Sequence, residues 1–338
     1  MTKKTSAYTF QLLILFSLPL IFHACNKNEY IHLQGYAQGT TYSIIYKTNK
    51  KQNFEQEINT ILKKFDKSLS NYDSTSIISK INRNEAVELD SMFIACFETG
   101  QKVAKQTNGA FDMTVGPLTK AYGFFKNDTI FPNETEIDSL LKFVGFQNIS
   151  IHNKQIIKTD SRIMLDVNAI AQGYSVDVVA SFLEKKAILD YMIEIGGEIK
   201  TKGLNSKGLD WKIGIDKPID NSTIENRELQ TVIALSGKSL ATSGNYRKFY
   251  IKDGKRFAHT INPITGKPAE NELLSVTVIT NTCIYADAYA TAFMTMGLNK
   301  SIDFIEANNH IDVYFIFTDK NDSIKTLATP GFQQYFIE

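Results

Sequence analysis

Hydrophobic positions along this chain follow two periods. From Thr40 to Lys47 they fall on every second residue, so Tyr42, Ile44 and Tyr46 share one face of a predicted strand. Phe54, Ile58, Ile61, Leu62, Phe65 and Leu69 instead recur at the 3.6-residue spacing of an amphipathic helix. Residues 91–107 predict a second helix, stopping before Asn108-Gly109, and Ile170, Tyr174, Val178 and Phe182 mark a third. Residues 284–297 predict another, and Ile302 and Ile305 mark one more. Strands are expected at Asp190–Ile195, Trp211–Ile215, Leu229–Ser236, Leu273–Asn281 and Ile311–Phe317. Strands and helices mix without strict βαβ alternation. This favours an α+β fold over a doubly wound one: a single large layered domain with mixed or antiparallel sheets and packed helices.

The first residues follow neither period. Lys3 and Lys4 precede an apolar stretch, Phe10 to Phe22, which ends at His23-Ala24-Cys25. A basic start, a short apolar core and a small residue at the cut are the layout of a secretory signal. The stretch falls short of the roughly 20 residues that span a bilayer. A cysteine directly after the small residue points to a bacterial lipoprotein signal, cut before Cys25 so that its thiol carries lipid; an ordinary secretory peptide is the alternative. The expected organisation is a leader over residues 1–24, a polar tether over 25–35 and one catalytic domain over 36–338. The protein is then lipid-anchored to a bacterial membrane, facing the periplasm or the cell exterior.

Composition narrows the function. Lys plus Arg number 37 and Asp plus Glu 36, a formal net charge of +1 that becomes −1 once Lys3 and Lys4 leave with the leader. A protein built to grip nucleic acid needs a basic excess that is absent here. Cys96 and Cys283 each lie in an apolar stretch and are expected as buried thiols rather than a disulfide. No Cys/His spacing suggests zinc. Phosphate-loop, dinucleotide-binding and nucleophile-elbow motifs are also missing.

What the chain does contain is a series of short polar clusters at the edges of apolar elements. In order they are Gln38-Gly39-Thr40-Thr41-Tyr42, Ser70-Asn71-Tyr72-Asp73, Gly109 to Leu118 (GAFDMTVGPL), Asp166 to Tyr174 (DVNAIAQGY), and Gly196-Gly197-Glu198. Ser243-Gly244-Asn245-Tyr246, His259-Thr260-Ile261-Asn262-Pro263 and Ala286-Asp287-Ala288-Tyr289-Ala290-Thr291 complete the set. Asp287 and Thr291, four apart on a predicted helix, place one charged and one neutral oxygen on the same face, a pairing that suits Mg2+ or an ordinary solvated helix face. Asp166 suits a hydrogen bond to a base or ribose, or a cap for the helix near Ile170.

Together and in this order the clusters resemble the ApbE family, the FAD:protein FMN transferases. The chain departs from the family pattern at Gln38 (commonly Met), Asn168 (Gly), Gln172 (Lys) and Asn262 (Asp). The resemblance implies an exported enzyme that takes FAD as substrate with Mg2+, attaches FMN to a Thr or Ser hydroxyl of a target protein, and releases AMP. Its implied partner is an acceptor flavoprotein subunit of a membrane electron-transport complex. The implied flavin contacts are Gln38, Tyr72, Ala110, Phe111, Asp112, Asp166, Gln172 and Ile261. The implied metal ligands are Asp287, Thr291 and the backbone carbonyl of Ala169. His259, with an unperturbed pKa near neutrality, is the candidate base for the acceptor hydroxyl. Two rivals share the site: an FAD pyrophosphatase yielding FMN and AMP, and a flavin-binding lipoprotein without catalysis.

Overall fold

The computed structural model describes residues 29–49, 51–124, 131–219, 227–245, 249–252, 255–258 and 260–337. The expected leader over residues 1–24, Cys25 and His259 lie outside these residues. The chain opens with a hairpin, β1 (Glu29–Ala37) and β2 (Thr40–Thr48), followed by α1 (Glu55–Leu69), α2 (Ile77–Asn82), α3 (Ser91–Gln106), α4 (Gly116–Ala121) and α5 (Glu134–Leu141). A short hairpin, β3 (Ile149–His152) and β4 (Gln155–Lys158), leads to α6 (Ala171–Lys185), β5 (Tyr191–Ile195) and β6 (Glu198–Lys202). Then come β7 (Trp211–Asp216), β8 (Leu229–Leu235), β9 (Ser239–Gly244), β10 (Phe249–Lys252), β11 (Lys255–Ala258) and β12 (Leu273–Thr280). The chain closes with α7 (Cys283–Met296), α8 (Leu298–Glu306), β13 (Asp312–Thr318) and β14 (Ile324–Ala328).

Eight strands form one sheet in the order β1-β2-β5-β6-β9-β12-β13-β14, every neighbouring pair antiparallel. Alternation along each strand sorts side chains to two faces. Ile44, Ile193, Val278 and Phe315 turn toward the helices, where α1 and α6 cover one half of the sheet and α3 and α7 the other. Their neighbours Ile45, Met192, Ile279 and Ile316 turn to the opposite face, under the β7–β8 hairpin and the C-terminal Phe332. This is the expected α+β layered domain. Cys96 and Cys283 are buried free thiols, as expected.

One boundary moves. Residues 25–35 were expected as a polar tether, yet from Glu29 onward they form edge strand β1, paired with β2 along its length. The hydrophobic signal there is thin because this edge strand fully buries Leu33 alone, with Tyr30, Ile31 and Ala37 half-buried. Gly35 matters too: a Cβ on it would lie 2.5 Å from the Tyr42 ring.

Helix α7 lies at the centre. Eleven of its fourteen residues are buried, the condition of a helix apolar on nearly all sides. Alanines 286, 288, 290 and 292 let neighbouring backbones come close. The closest approach is to the first turn of α6. Neither helix has a side-chain cap from its own N-cap residue, Ile170 for α6 and Thr282 for α7. Each is capped by the other. The Gly173 N–H of α6 donates to Asp287 Oδ2 on α7 (2.9 Å), and the Ile284 N–H of α7 donates to Asp177 Oδ2 on α6 (2.9 Å). Two of the free N–H groups that open every helix are thus satisfied reciprocally, each carboxylate at the positive end of the partner helix.

This crossing leaves no room at Gly173, where a Cβ would strike the Cys283 carbonyl and come within 2.7 Å of the Asp287 Cβ. Gly173→Ala is therefore expected to lower stability by about 1–3 kcal/mol. Denaturant unfolding should show this as a lower midpoint, and a midpoint equal to wild type would contradict the packing.

Candidate active site

The segment 165–170, between β4 and α6, is the spine of the site. Asn82 and Asn71 both donate from Nδ2 to the Leu165 carbonyl, and their side-chain oxygens accept from the N–H groups of Leu165 and Val167. The Asp166 N–H donates to the Met113 carbonyl at 2.7 Å, which brings the 109–118 cluster alongside. The second, third and fourth clusters are thereby fastened together by hydrogen bonds between distant parts of the chain.

Asp166 is buried, and burial raises its pKa while bonds from Asn168 and Thr119 oppose the rise. Its Oδ1 accepts from the Asn168 N–H (2.9 Å), shaping the turn before α6 rather than capping the helix. The cap comes from Asp287, as above. Tyr72 stands 68% exposed on the α1–α2 turn, with Asp166 as its charged neighbour and a bond to the Asn168 side chain. An exposed ring beside a buried carboxylate leaves a face open to a flat ligand.

Asp112 behaves differently. Its carboxylate accepts from the Thr114 N–H and hydroxyl (2.8 and 2.7 Å) and from the Phe146 N–H (2.7 Å). Those oxygens fasten the 144–146 loop, and Phe111 is a core residue. The Ala110 carbonyl accepts from the Thr295 hydroxyl at the far end of α7 (2.7 Å). Ile261 is buried with Leu118, Tyr122 and Ile137, beyond the 109–118 cluster. Asn262 accepts from Ile264 and Thr265 in a tight turn, a role that needs no charge, so Asn serves where the family often has Asp. A cleft of about 450 Å3 opens at this end, lined by Ala110, Asn262, Thr295, Met296, Lys300 and Asp303 among others. It reaches neither Asp166 nor Asp287.

On the other side, Gln38 sits in the β1–β2 turn with a left-handed backbone (φ 54°) and accepts from the Ser175 hydroxyl of α6 (3.1 Å). Gln172 donates to the Ile195 carbonyl (3.0 Å), and its amide fills the space a side chain at Gly196 would need. Gly196 and Gly197 both have positive φ, so this β5–β6 turn requires glycine on two counts.

The α7 face completes the site. Burial pushes the Asp287 carboxyl up to about 7 against the opposing Gly173 N–H. Thr291, one turn on, is 3.2 Å from the Ser243 hydroxyl of β9. Glu198, at the start of β6, is buried with Oε2 unpaired, and its pKa is raised first by burial and then by Asp287. The Gly-Gly-Glu cluster stood out in the sequence, but it carried no signal that Glu198 faces α7. Among the described residues no three His, Cys, Asp or Glu side chains gather as a metal cage. The carboxylate of Asp287 and the hydroxyl of Thr291 still suit a small hard cation that keeps waters in its shell.

Asp287 yields a pH prediction. Its folded-state pKa lies above its ordinary 3.8, so in chelator the native state binds that proton more tightly than the unfolded chain. The resulting stability is present at low pH and lost as pH rises through about 7. Relative to Asp287→Asn, the wild type is therefore expected to lose stability between pH 4 and pH 8. Denaturant midpoints across that range check it, and a pH-independent difference would refute it.

Comparison with known proteins identifies the family. The ApbE family model matches residues 38–315. A Vibrio cholerae protein named FAD:protein FMN transferase is 33% identical over 326 residues, covering 94% of this chain and 96% of that protein. The protein of that name from Haemophilus influenzae is 34% identical over 338 residues, covering 95% and 96%. In structure, the flavin transferase ApbE from Vibrio cholerae superposes with a TM-score of 0.82 at 33% identity, over 91% of this chain and all of that one. The apo Pseudomonas stutzeri flavinyl transferase ApbE gives 0.81 at 29% identity, over 91% and 97%. A family model matched over most of the sequence, and relatives above 30% identity along nearly their whole length, place this chain in the ApbE family.

Proposed function

We propose that this protein is an FAD:protein FMN transferase that acts on a Thr or Ser hydroxyl of an acceptor protein with Mg2+ at the α7 face. The acceptor oxygen attacks the flavin-side phosphorus of FAD, the bond to the other phosphate breaks, and AMP leaves. The observation that carries this reading is the position of Asp287: a buried carboxylate, one helical turn from Thr291, at the α6–α7 crossing beside the 165–170 spine. The names of the relatives support flavin transfer independently.

Asp287 and Thr291, with the Ala169 carbonyl implied by family resemblance, would hold the cation. Bound there, Mg2+ supplies charge neutralisation on the pyrophosphate. The remaining roles belong to the chain. The exposed Tyr72 ring is suited to stack on a flat ring system, and Asp166 to accept a hydrogen bond from it. Gln172 directs its amide to the Ile195 carbonyl, so at this position it positions backbone and brings no positive charge to the phosphates. His259, known here from sequence alone, is assigned to take the proton from the acceptor hydroxyl. The acceptor is assigned, by family resemblance, to the flavoprotein subunits of membrane electron-transport complexes. Export and a lipid on Cys25 would bring the enzyme to such a partner. Among the described residues no helix is long and apolar enough to cross a membrane.

Flavin transfer is tested by incubating the protein with FAD, Mg2+ and a Thr-containing acceptor, then reading the acceptor's intact mass and flavin fluorescence beside AMP release. Asp287→Ala is expected to stop labelling and AMP release together. His259→Ala should leave FAD binding intact and slow transfer roughly 100-fold or more. Near-normal labelling by Asp287→Ala would remove the metal assignment, and AMP release without acceptor labelling would indicate a pyrophosphatase. For localisation, Cys25→Ser should release the protein from membranes into the soluble fraction, and a membrane-bound mutant would overturn the lipid anchor.

A further inference from the structure

Glu198 has no role in the chemistry just described, yet its surroundings are unusual. It opens β6 directly after the Gly196–Gly197 turn and pairs with Ile195 across the hairpin. It therefore shares the helix-facing side of the sheet with Ile193, Ile195 and Lys200. It is only 9% exposed. One end of its carboxyl turns back on the residue's own N–H, while Oε2 is shut off from solvent and meets no hydrogen-bond donor among the described residues. Lys200, two residues on, directs its ammonium to Asp177 Oδ1 at 2.7 Å instead. The foremost charged neighbour of Glu198 is Asp287, and the next is Glu194.

Buried polar oxygens are almost always hydrogen-bonded, and a buried carboxyl without a partner is costly. Two neighbouring buried carboxyls repel when ionised, and a divalent cation between them relieves both. Asp287 is itself half satisfied, one oxygen already holding the Gly173 N–H.

We infer that Glu198 is a second carboxylate of the α7 cation site, directing its unpaired Oε2 at the ion or at a water of the ion's shell. This rests on reading Asp287 and Thr291 as a cation site, and it extends that site from the helix to the sheet beneath. Glu198 then acts as a positioning residue: with Asp287 it lets the folded chain hold a divalent cation before FAD brings its phosphates.

The test is a titration of the full-length protein with Mn2+, reading free Mn2+ by electron paramagnetic resonance, with and without FAD, beside thermal unfolding in chelator and in Mg2+. Glu198→Gln keeps the shape and removes the charge. It is expected to weaken Mn2+ binding roughly 10- to 100-fold. In chelator it should unfold at or above the wild-type temperature, because a like-charged pair has been removed, and Mg2+ should raise that temperature less than in wild type. A purely structural Glu198 would do the reverse, lowering the unfolding temperature in chelator and leaving Mn2+ affinity unchanged; that result overturns the inference. Glu198→Asp, with the charge kept and the oxygen withdrawn by one methylene, is expected to fold like wild type and to bind Mn2+ more weakly; unchanged binding would again overturn it. Asp287→Asn separates the two claims. If it abolishes Mn2+ binding while Glu198→Gln binds as wild type, the α7 site stands and Glu198 has no part in it. If wild type binds Mn2+ no better than Asp287→Asn, the site itself is refuted and the inference falls with it.

Discussion

The bond from the Gly173 N–H to the Asp287 carboxylate is the contact on which the rest of this structure turns. It caps α6, whose own sequence supplies no cap. It fixes the distance between α6 and α7, which only glycine at 173 permits. It also ties down a buried carboxylate through one oxygen, Oδ2. The reciprocal bond from the Ile284 N–H to Asp177 locks the same crossing from the other side. On the proposed reading folding and function draw on one carboxylate, set in the core itself.

From this crossing the other parts of the site take their places. The β5–β6 turn abuts α6 because Gln172 reaches the Ile195 carbonyl across Gly196. The β1–β2 turn is tied in through Ser175 and Gln38, and β9 through Ser243 and Thr291. On the far side, the 165–170 spine arrives already braced by Asn71, Asn82 and Met113. Among the described residues, the clusters at 38–42, 166–174, 196–198, 243–245 and 286–291 are tied together by bonds between elements on the helix-covered side of one antiparallel sheet.

Much of this was legible in the sequence. The period-2 pattern of β2 and the 3.6-residue patterns of α1, α3, α6 and α8 located those elements to within a few residues, since in each the most buried side chains recur at the element's own period. What escaped has physical reasons. Strand β1 is an edge, so few of its side chains carry a burial signal. Asp166 was a fair candidate to cap α6 from its position, but the cap comes from Asp287, more than a hundred residues downstream, and no local pattern records a tertiary cap. The motif marks Asp112 as a ligand contact but gives no sign of its structural task, in which its oxygens brace the 144–146 loop. Glu198 stood in plain view after a Gly-Gly turn. Its face became apparent only once the register with Ile195 was known.

The central claim is that the Asp287–Thr291 face holds a divalent cation against the pyrophosphate of FAD. Crystals grown with FAD and Mn2+, measured at a wavelength where manganese scatters anomalously, test it most directly. The account predicts an anomalous peak about 2.1 Å from an oxygen of Asp287 and from the Thr291 hydroxyl, with flavin phosphate oxygens completing the shell. Bound FAD with no peak at Asp287, or a peak elsewhere in the molecule, would contradict it.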